Sequence, residues 1–257
     1  MKRIGLTFFF FFLLVQWSVF ATEPFRFALF TDLHISESKP QHTEDLKLAV
    51  TEVNANPLIE FVLVSGDDSD LGDLNSLRNA KQMLDELKVP YYITSGNHDT
   101  NQGKIGSANF IQVFKKDTFS ITRHGFRFVG FPTGPEKDES IGHIKAADFD
   151  FVKRELDKNN PTFVVTHYPL LKGDIDNFQE MWNLLEKHTV IAVLNGHYHR
   201  NALFSYAGVP GIVNRSTQRG NQIKGGYTIY SVSDTLKVAE KIIGEPEHEW
   251  MVLPLHN

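Results

Sequence analysis

The sequence predicts an α/β fold on mixed sheet, and two observations carry that expectation. From Phe25 onward short apolar runs alternate with amphipathic stretches, the strand–helix rhythm of largely parallel sheet with helices on its faces. Toward the C-terminus the helical pattern drops out, and apolar runs follow one another across short polar turns, as in antiparallel sheet.

The elements can be justified in order. Phe25–Thr31 reads as a strand buried on both faces, because its apolar residues hardly alternate. Leu46, Ala49, Val50 and Val53 then recur at helical spacing. Phe61–Ser65 is a second strand, and Leu74–Leu87 a second helix with Leu77, Ala80, Leu84 and Leu87 on one face. Val89–Ser95 is a third strand, and Thr118–Arg123 with Phe126–Phe131 a hairpin joined by His124-Gly125. Phe149, Val152 and Leu156 mark a helix before the strand Thr162–Thr166. Phe178, Met181, Trp182 and Leu185 mark another before Val190–Leu194. Ala202–Tyr206, Pro210–Val213, Tyr227–Val232 and Leu236–Ile242 are strands without helices between them. Gly211–Gly226, carrying Gly220, Gly225 and Gly226, reads as the loosest stretch and as a surface loop. No repeat, low-complexity linker or boundary interrupts residues 22–257, which read as a single domain.

The first residues read as an address rather than as part of the fold. Lys2 and Arg3 precede an apolar run from Leu6 to Val15, and Val19-Phe20-Ala21 ends in small residues at the positions a signal peptidase reads. The run is too short for a membrane span, being interrupted by Gln16 and Ser18. Residues 1–21 are therefore expected to be an export signal, making the protein periplasmic or secreted; an uncleaved anchor is the minor alternative. No membrane span is expected after cleavage.

Composition narrows the function classes. Of 257 residues, 41% are hydrophobic and 22% charged, near the globular norm, which argues against disorder or a fibrous fold. The net charge of −5 disfavours a broad basic face for nucleic acid. There is no cysteine, which excludes disulfides, thiolate metal sites, a cysteine nucleophile and lipid attachment through cysteine.

The informative residues follow the strands. Asp32-Leu33-His34 follows the first, Gly66-Asp67-Asp68 the second and Gly96-Asn97-His98-Asp99 the third. His167-Tyr168-Pro169 and Asn195-Gly196-His197-Tyr198-His199 follow two of the later ones. In parallel α/β sheets ligands bind outside the carboxyl ends of the strands, so these groups are expected to converge. Imidazole, carboxylate and amide oxygen are metal-ligand chemistry. Seven candidates (Asp32, His34, Asp67, Asn97, His167, His197 and His199) are too many for one tetrahedral ion and suit two ions sharing a carboxylate. Two such cations about 3.5–4 Å apart can activate a water and clamp the oxygens of a phosphoryl centre. His42, His124, His143, His188, His248 and His256 fall outside the set and read as structural, with some reserve for His143.

This ordered set resembles the calcineurin-like metallophosphoesterase superfamily, whose pattern is Asp-x-His, Gly-Asp, Gly-Asn-His-Asp/Glu, His and Gly-His-x-His. The resemblance spans residues 32–199. It implies a four-layer α/β/β/α sandwich of metallo-dependent phosphatase type, with two mixed sheets and the metals at its edge. It implies one ion held by Asp32, His34, Asp67 and His199, and a second held by Asp67, Asn97, His167 and His197. The cofactors would be two divalent transition metals, with Mn, Fe or Zn favoured and Co or Ni permitted. The nucleophile would be a metal-bridging hydroxide. His98 would serve the leaving group as acid or cationic stabiliser, with Asp99 orienting it.

Several neighbours have two readings. Asp68 or Asp70 could tune the site or cap the following helix, and capping is favoured. Tyr168 and Tyr198 could stack on a substrate ring or pack as core and rim. Arg200, Arg215 and Arg219 could clamp a phosphate or form salt bridges. The expected activity is hydrolysis of a small phosphomonoester or phosphodiester, leaning toward a diester or nucleotide. A metal-bound scaffold without turnover is the main rival, and a mononuclear peptidase ranks last because no His-Glu-x-x-His is present. The chain ends at Pro254-Leu255-His256-Asn257 soon after the last strand, so no large capping domain is expected.

Overall fold

In the computed structural model, residues 23–102, 105–222 and 224–255 are described; the expected export signal lies outside them. The chain runs β1 (Phe25–Phe30), α1 (Pro40–Ala55), β2 (Ile59–Val64), α2 (Leu74–Leu84), β3 (Tyr91–Ile93), α3 (Asn97–Thr100) and α4 (Ala108–Phe114). It continues β4 (Phe119–Arg123), β5 (Phe126–Gly130), α5 (Ala146–Leu156), β6 (Thr162–Val165), α6 (Phe178–Leu185) and β7 (Val190–Asn195). The remaining strands are β8 (Ala202–Tyr206), β9 (Val209–Val213), β10 (Gly226–Val232), β11 (Thr235–Ile242) and β12 (Glu247–Pro254).

Strand pairing makes two mixed six-stranded sheets, β12-β11-β10-β1-β2-β3 and β4-β5-β6-β7-β9-β8. In the first, β1, β2 and β3 are parallel, while β10, β11 and β12 are antiparallel additions. In the second, β5, β6, β7 and β9 are parallel, with β4 and β8 antiparallel at the edges.

The phenylalanines explain how the sheets face each other. Phe27 stacks on Phe61 at 5.1 Å and Tyr230 at 4.8 Å, and meets Phe128 of the opposite sheet edge-on at 5.2 Å. Such aromatic pairs bury large areas in defined geometry. The outer face of the first sheet buries Ala28, Phe30, Val62 and Val64 against Leu46, Ala49, Val50 and Val53 of α1 and Ala80, Met83 and Leu84 of α2. The outer face of the second buries Val129, Val164 and Val193 against Val152 and Leu156 of α5 and Met181, Leu184 and Leu185 of α6. The result is the four-layer α/β/β/α sandwich that the resemblance implied.

Three departures from the sequence reading have physical causes. Helix α2 stops at Leu84, not Leu87, because the chain tightens into i→i+3 bonds, Glu86 N–H to Met83 and Leu87 N–H to Leu84. Strand β12 was not expected: as an edge strand with charged residues at its start, Glu247 to Glu249, it lacks a continuous apolar run. The supposed surface loop is neither loose nor exposed. Gly211–Val213 belongs to β9, and Asn214 to Gln218 are all buried. This strap crosses beneath the strand ends and is pinned there by hydrogen bonds instead of apolar packing. Thr217 N–H donates to the Thr31 carbonyl (2.8 Å), and Asn214 accepts from Tyr230 Oη (2.6 Å) and donates to the Asn195 carbonyl (2.8 Å).

Candidate metal centre

The carboxyl ends of β1, β2, β3, β6 and β7 open on the same edge of the sandwich, and the loops leaving them carry the candidate residues. Their backbone is unusual. Asp32, His34, Asp67, His197 and His199 all have positive φ, between 45° and 70°. Left-handed backbone costs a non-glycine residue about 1–3 kcal/mol and collects at functional sites. Here it aims five side chains into one place. Close approach does the rest: a Cβ on Gly96 would lie 2.2 Å from Asp67 Oδ1, so only glycine lets the third loop pass the second.

Two groups of side chains result. Asp32, His34 and His199 bring one ligand atom each within 4.8 Å of the others, and so do Asp67, His167 and His197. Asp32 Oδ1 is 3.1 Å from His199 Nε2 and 3.8 Å from His34 Nε2. Asp67 Oδ2 lies between the groups, 3.6 Å from His34 Nε2 and 3.1 Å from His167 Nε2. Asp67 is thus the carboxylate placed to be shared. Asn97 starts α3 with its Oδ1 buried. All seven sequence-predicted ligand positions therefore sit at this one edge.

The donor chemistry fits two cations. Among the described residues, Asn97 Oδ1 and His167 Nε2 are buried without a hydrogen-bond partner. An unsatisfied buried polar atom costs about 1–3 kcal/mol, which a cation at this place would offset. His34 Nε2 and His199 Nε2 face each other at 3.1 Å, two ring nitrogens converging on one point. Other contacts fix the rings. His167 Nδ1 meets the Ser65 carbonyl at 2.9 Å, and His34 Nδ1 lies 3.4 Å from Asp70 Oδ1, leaving Nε2 of each toward the site.

Charge follows from this crowding. Burial alone would raise the carboxyl pKa values, but the imidazoles more than offset it. His199 and His34 hold Asp32 well below the carboxylate range, and His167 holds Asp67 at about 2. Burial likewise opposes charge on His34 and His167, but the carboxylates of Asp32 and Asp70 lift His34 to about 10 and Asp67 lifts His167 to about 9. His197 goes the other way, to about 4, through burial and the neighbouring His167. A field that favours positive charge on these rings also favours a divalent cation among them, at the expense of the ring protons.

His98 stands beside the two groups. Its ring meets His34 edge-on at 4.5 Å. Its backbone N–H donates to Asp67 Oδ1 (2.8 Å), so the shared carboxylate also anchors it. Its Nδ1 donates to the Asp70 carbonyl (2.8 Å), leaving Nε2 for proton transfer. This corrects the expected role of Asp99, whose carboxylate makes no hydrogen bond to the His98 ring. Buried Asp99 accepts from Gly96 N–H, Asp68 N–H, Ser69 N–H and Ser69 Oγ, tying the second and third loops together. It positions the loops, and Asp70 orients the ring.

Asp70 and Asp68 do not cap the following helix. Asp73 does, accepting from Asn75 and Ser76 N–H, while Asp70 pairs with Lys39 at 2.8 Å. Asp68 is fully buried, and burial with Asp99 and Asp67 nearby pushes its carboxyl well above the usual range. Tyr168 is buried with its ring 4.2 Å from that of His197, and Tyr198 Oη donates to Asp174 (2.5 Å). Arg200 lies over the Tyr198 ring at 5.8 Å. Arg215 pairs with Glu240 and Arg219 with Asp45 and Glu44, so both are held in salt bridges. His42 donates from Nδ1 to the His34 carbonyl (2.9 Å), and His143 is exposed and paired with Asp176.

Comparison with known proteins agrees with this geometry. The sequence model of the calcineurin-like phosphoesterases matches residues 25–201. A 3',5'-cyclic-nucleotide phosphodiesterase of Nostoc sp. is 27% identical over 69% of this chain and 72% of its own length. A probable cyclic nucleotide phosphodiesterase of Ruthia magnifica is 26% identical over 75% of this chain and 90% of its own. Among solved structures, a dimetal phosphatase from Danio rerio superposes with a TM-score of 0.70 at 14% identity, covering 90% of this chain and 99% of its own. Purple acid phosphatase PPD1 from yellow lupin does so with a TM-score of 0.66 at 14% identity, covering 91% and 54%.

Proposed function

Because the chain belongs to the calcineurin-like phosphoesterase family, and is thereby a metal-dependent phosphoric ester hydrolase, we propose that it hydrolyses small phosphodiesters of the 3',5'-cyclic nucleotide class with two divalent ions. One observation carries the reading: both ligand groups are complete, and His98 stands beside them, tied to the shared Asp67. The named activities of the two relatives favour the cyclic nucleotide class.

Asp32, His34, Asp67 and His199 would hold one ion, and Asp67, Asn97, His167 and His197 the other, with Mn, Fe or Zn suited to this mixture of oxygen and nitrogen donors. When bound, the pair supplies an activated water nucleophile and the positive charge that phosphoryl oxygens require. The chain's own residues do the rest. As water attacks phosphorus and the P–O bond to the sugar breaks, the departing alkoxide takes a proton from His98 Nε2. The Asp70 carbonyl, accepting from Nδ1, keeps that ring aligned and stabilises its charged form. Asp99 keeps Asn97 and His98 in register with Asp67. The product is a nucleoside monophosphate. Export by residues 1–21 is part of the proposal; among the described residues no helix is long and apolar enough to cross a membrane.

The test is hydrolysis by Mn(II)-loaded protein of 3',5'-cyclic AMP, bis-p-nitrophenyl phosphate and p-nitrophenyl phosphate. Both diesters are expected to be cleaved with higher kcat/KM than the monoester. Preference for the monoester, with cyclic AMP untouched, would overturn the substrate class.

A further inference from the structure

His199 differs from the other ligand histidines in what stands behind it. His34 and His167 are buried and backed by a carboxylate and a carbonyl. The His199 side chain is 39% exposed, at the end of a loop with φ of 54°, so little packing holds its ring. Its Nδ1 meets one side chain, the amide of Gln218, with Nε2 of the amide 3.2 Å away. Gln218 is 5% exposed and belongs to the buried strap.

The strap is fixed from both ends. Thr217 N–H donates to the Thr31 carbonyl, and Thr31 N–H to Thr217 Oγ1 (3.2 Å), locking it to the loop that carries Asp32. On the other side Arg219 donates to the buried Asp45 of α1 from its backbone N–H (2.8 Å), from Nε (3.0 Å) and from Nη2 (2.8 Å). Gly225 packs against the same place, where a Cβ would lie 2.1 Å from the Thr217 carbonyl. The Gln218 amide is therefore held by a double-sided clamp, and Gly220 N–H donates to its oxygen.

We propose that Gln218 is a positioning residue for metal binding: it sets the plane of the His199 imidazole through Nδ1 and so fixes the affinity of the ion shared by Asp32, His34 and His199. The inference rests on reading His199 as a ligand. The partner of a ligand histidine commonly changes metal affinity by about 10–100-fold. An amide suits an exposed ring, because it can offer Nδ1 either its NH2 or, turned over, its oxygen. A carboxylate at the same place would accept from Nδ1–H only and would make the ring a stronger donor to the ion.

The experiment is Co(II) titration of metal-depleted protein, followed by visible absorption, for the unaltered chain, Gln218→Ala and the near-isosteric Gln218→Glu. Two uptake steps are expected for the unaltered chain. Gln218→Ala is expected to weaken one step about 10–100-fold and leave the other in place. Gln218→Glu is expected to hold that step at or above its original affinity. The proposal is overturned if Gln218→Ala binds both ions as before, or if Gln218→Glu loses affinity as far as Gln218→Ala does. Should Gln218→Ala not fold, Gln218→Glu decides alone, a weakened step contradicting the proposal. An unaltered chain that takes up no Co(II) contradicts the metal reading itself, and this proposal with it.

Discussion

Replacing Asp67 by Asn is expected to remove one of the two metal ions and nearly all turnover. Asp67 is the only carboxylate whose oxygens face both groups: Oδ2 stands 3.6 Å from His34 Nε2 and 3.1 Å from His167 Nε2, while Oδ1 accepts from His98 N–H. Asn keeps the volume and an acceptor for His98, so the loops stay in place. It loses the negative charge that two cations would share. A cation stabilises the charge of a phosphoryl transition state by several kcal/mol, so losing one corresponds to about 10³-fold or more in kcat. Metal analysis and turnover on one preparation check this. Two retained ions with near-normal rate would remove Asp67 from its central position.

His98→Ala is expected to separate chemistry from metal binding. The ring is not counted in either complete ligand group, and its Nδ1 is committed to the Asp70 carbonyl. Its loss should leave two ions bound and the fold intact, and lower kcat by about 10²–10⁴-fold, the usual contribution of a positioned proton donor. The leaving group provides an internal control. A sugar alkoxide needs that proton, whereas p-nitrophenolate leaves readily without one. The loss should therefore be large on cyclic AMP and much smaller on bis-p-nitrophenyl phosphate. Equal losses on both would assign His98 to binding the phosphate instead.

The sequence made the site legible because metal chemistry restricts residue type and parallel sheet restricts place. Asp, Asn and His immediately after buried strands have few other reasons to recur, so the position of the centre and the candidate ligands followed directly. The aromatic interior was legible for a similar reason, since runs such as Phe25 to Phe30 exclude a solvated face. What stayed hidden were polar residues whose role is set by distant partners. Asp99 is next to His98 in sequence, but its four donors come from Gly96, Asp68 and Ser69, so adjacency misled. Asp70 looked like a helix cap because Asp73, three residues later, carries the same side chain and sits at the actual N-terminus of α2. The strap from Asn214 to Gln218 has the composition of a loop, and only its bonds to Thr31, Asn195 and Tyr230 reveal that it is buried. Gln218 carries no sequence signal of a metal-site partner.

The most direct test of the account is the number of metal ions per chain in purified protein, measured by inductively coupled plasma mass spectrometry before and after loading with Mn(II) or Zn(II). The shared carboxylate and the two groups of histidines predict about two ions per chain. A chain that holds none after loading would mean that the strand-end residues do not act as ligands, and would contradict the account at its base.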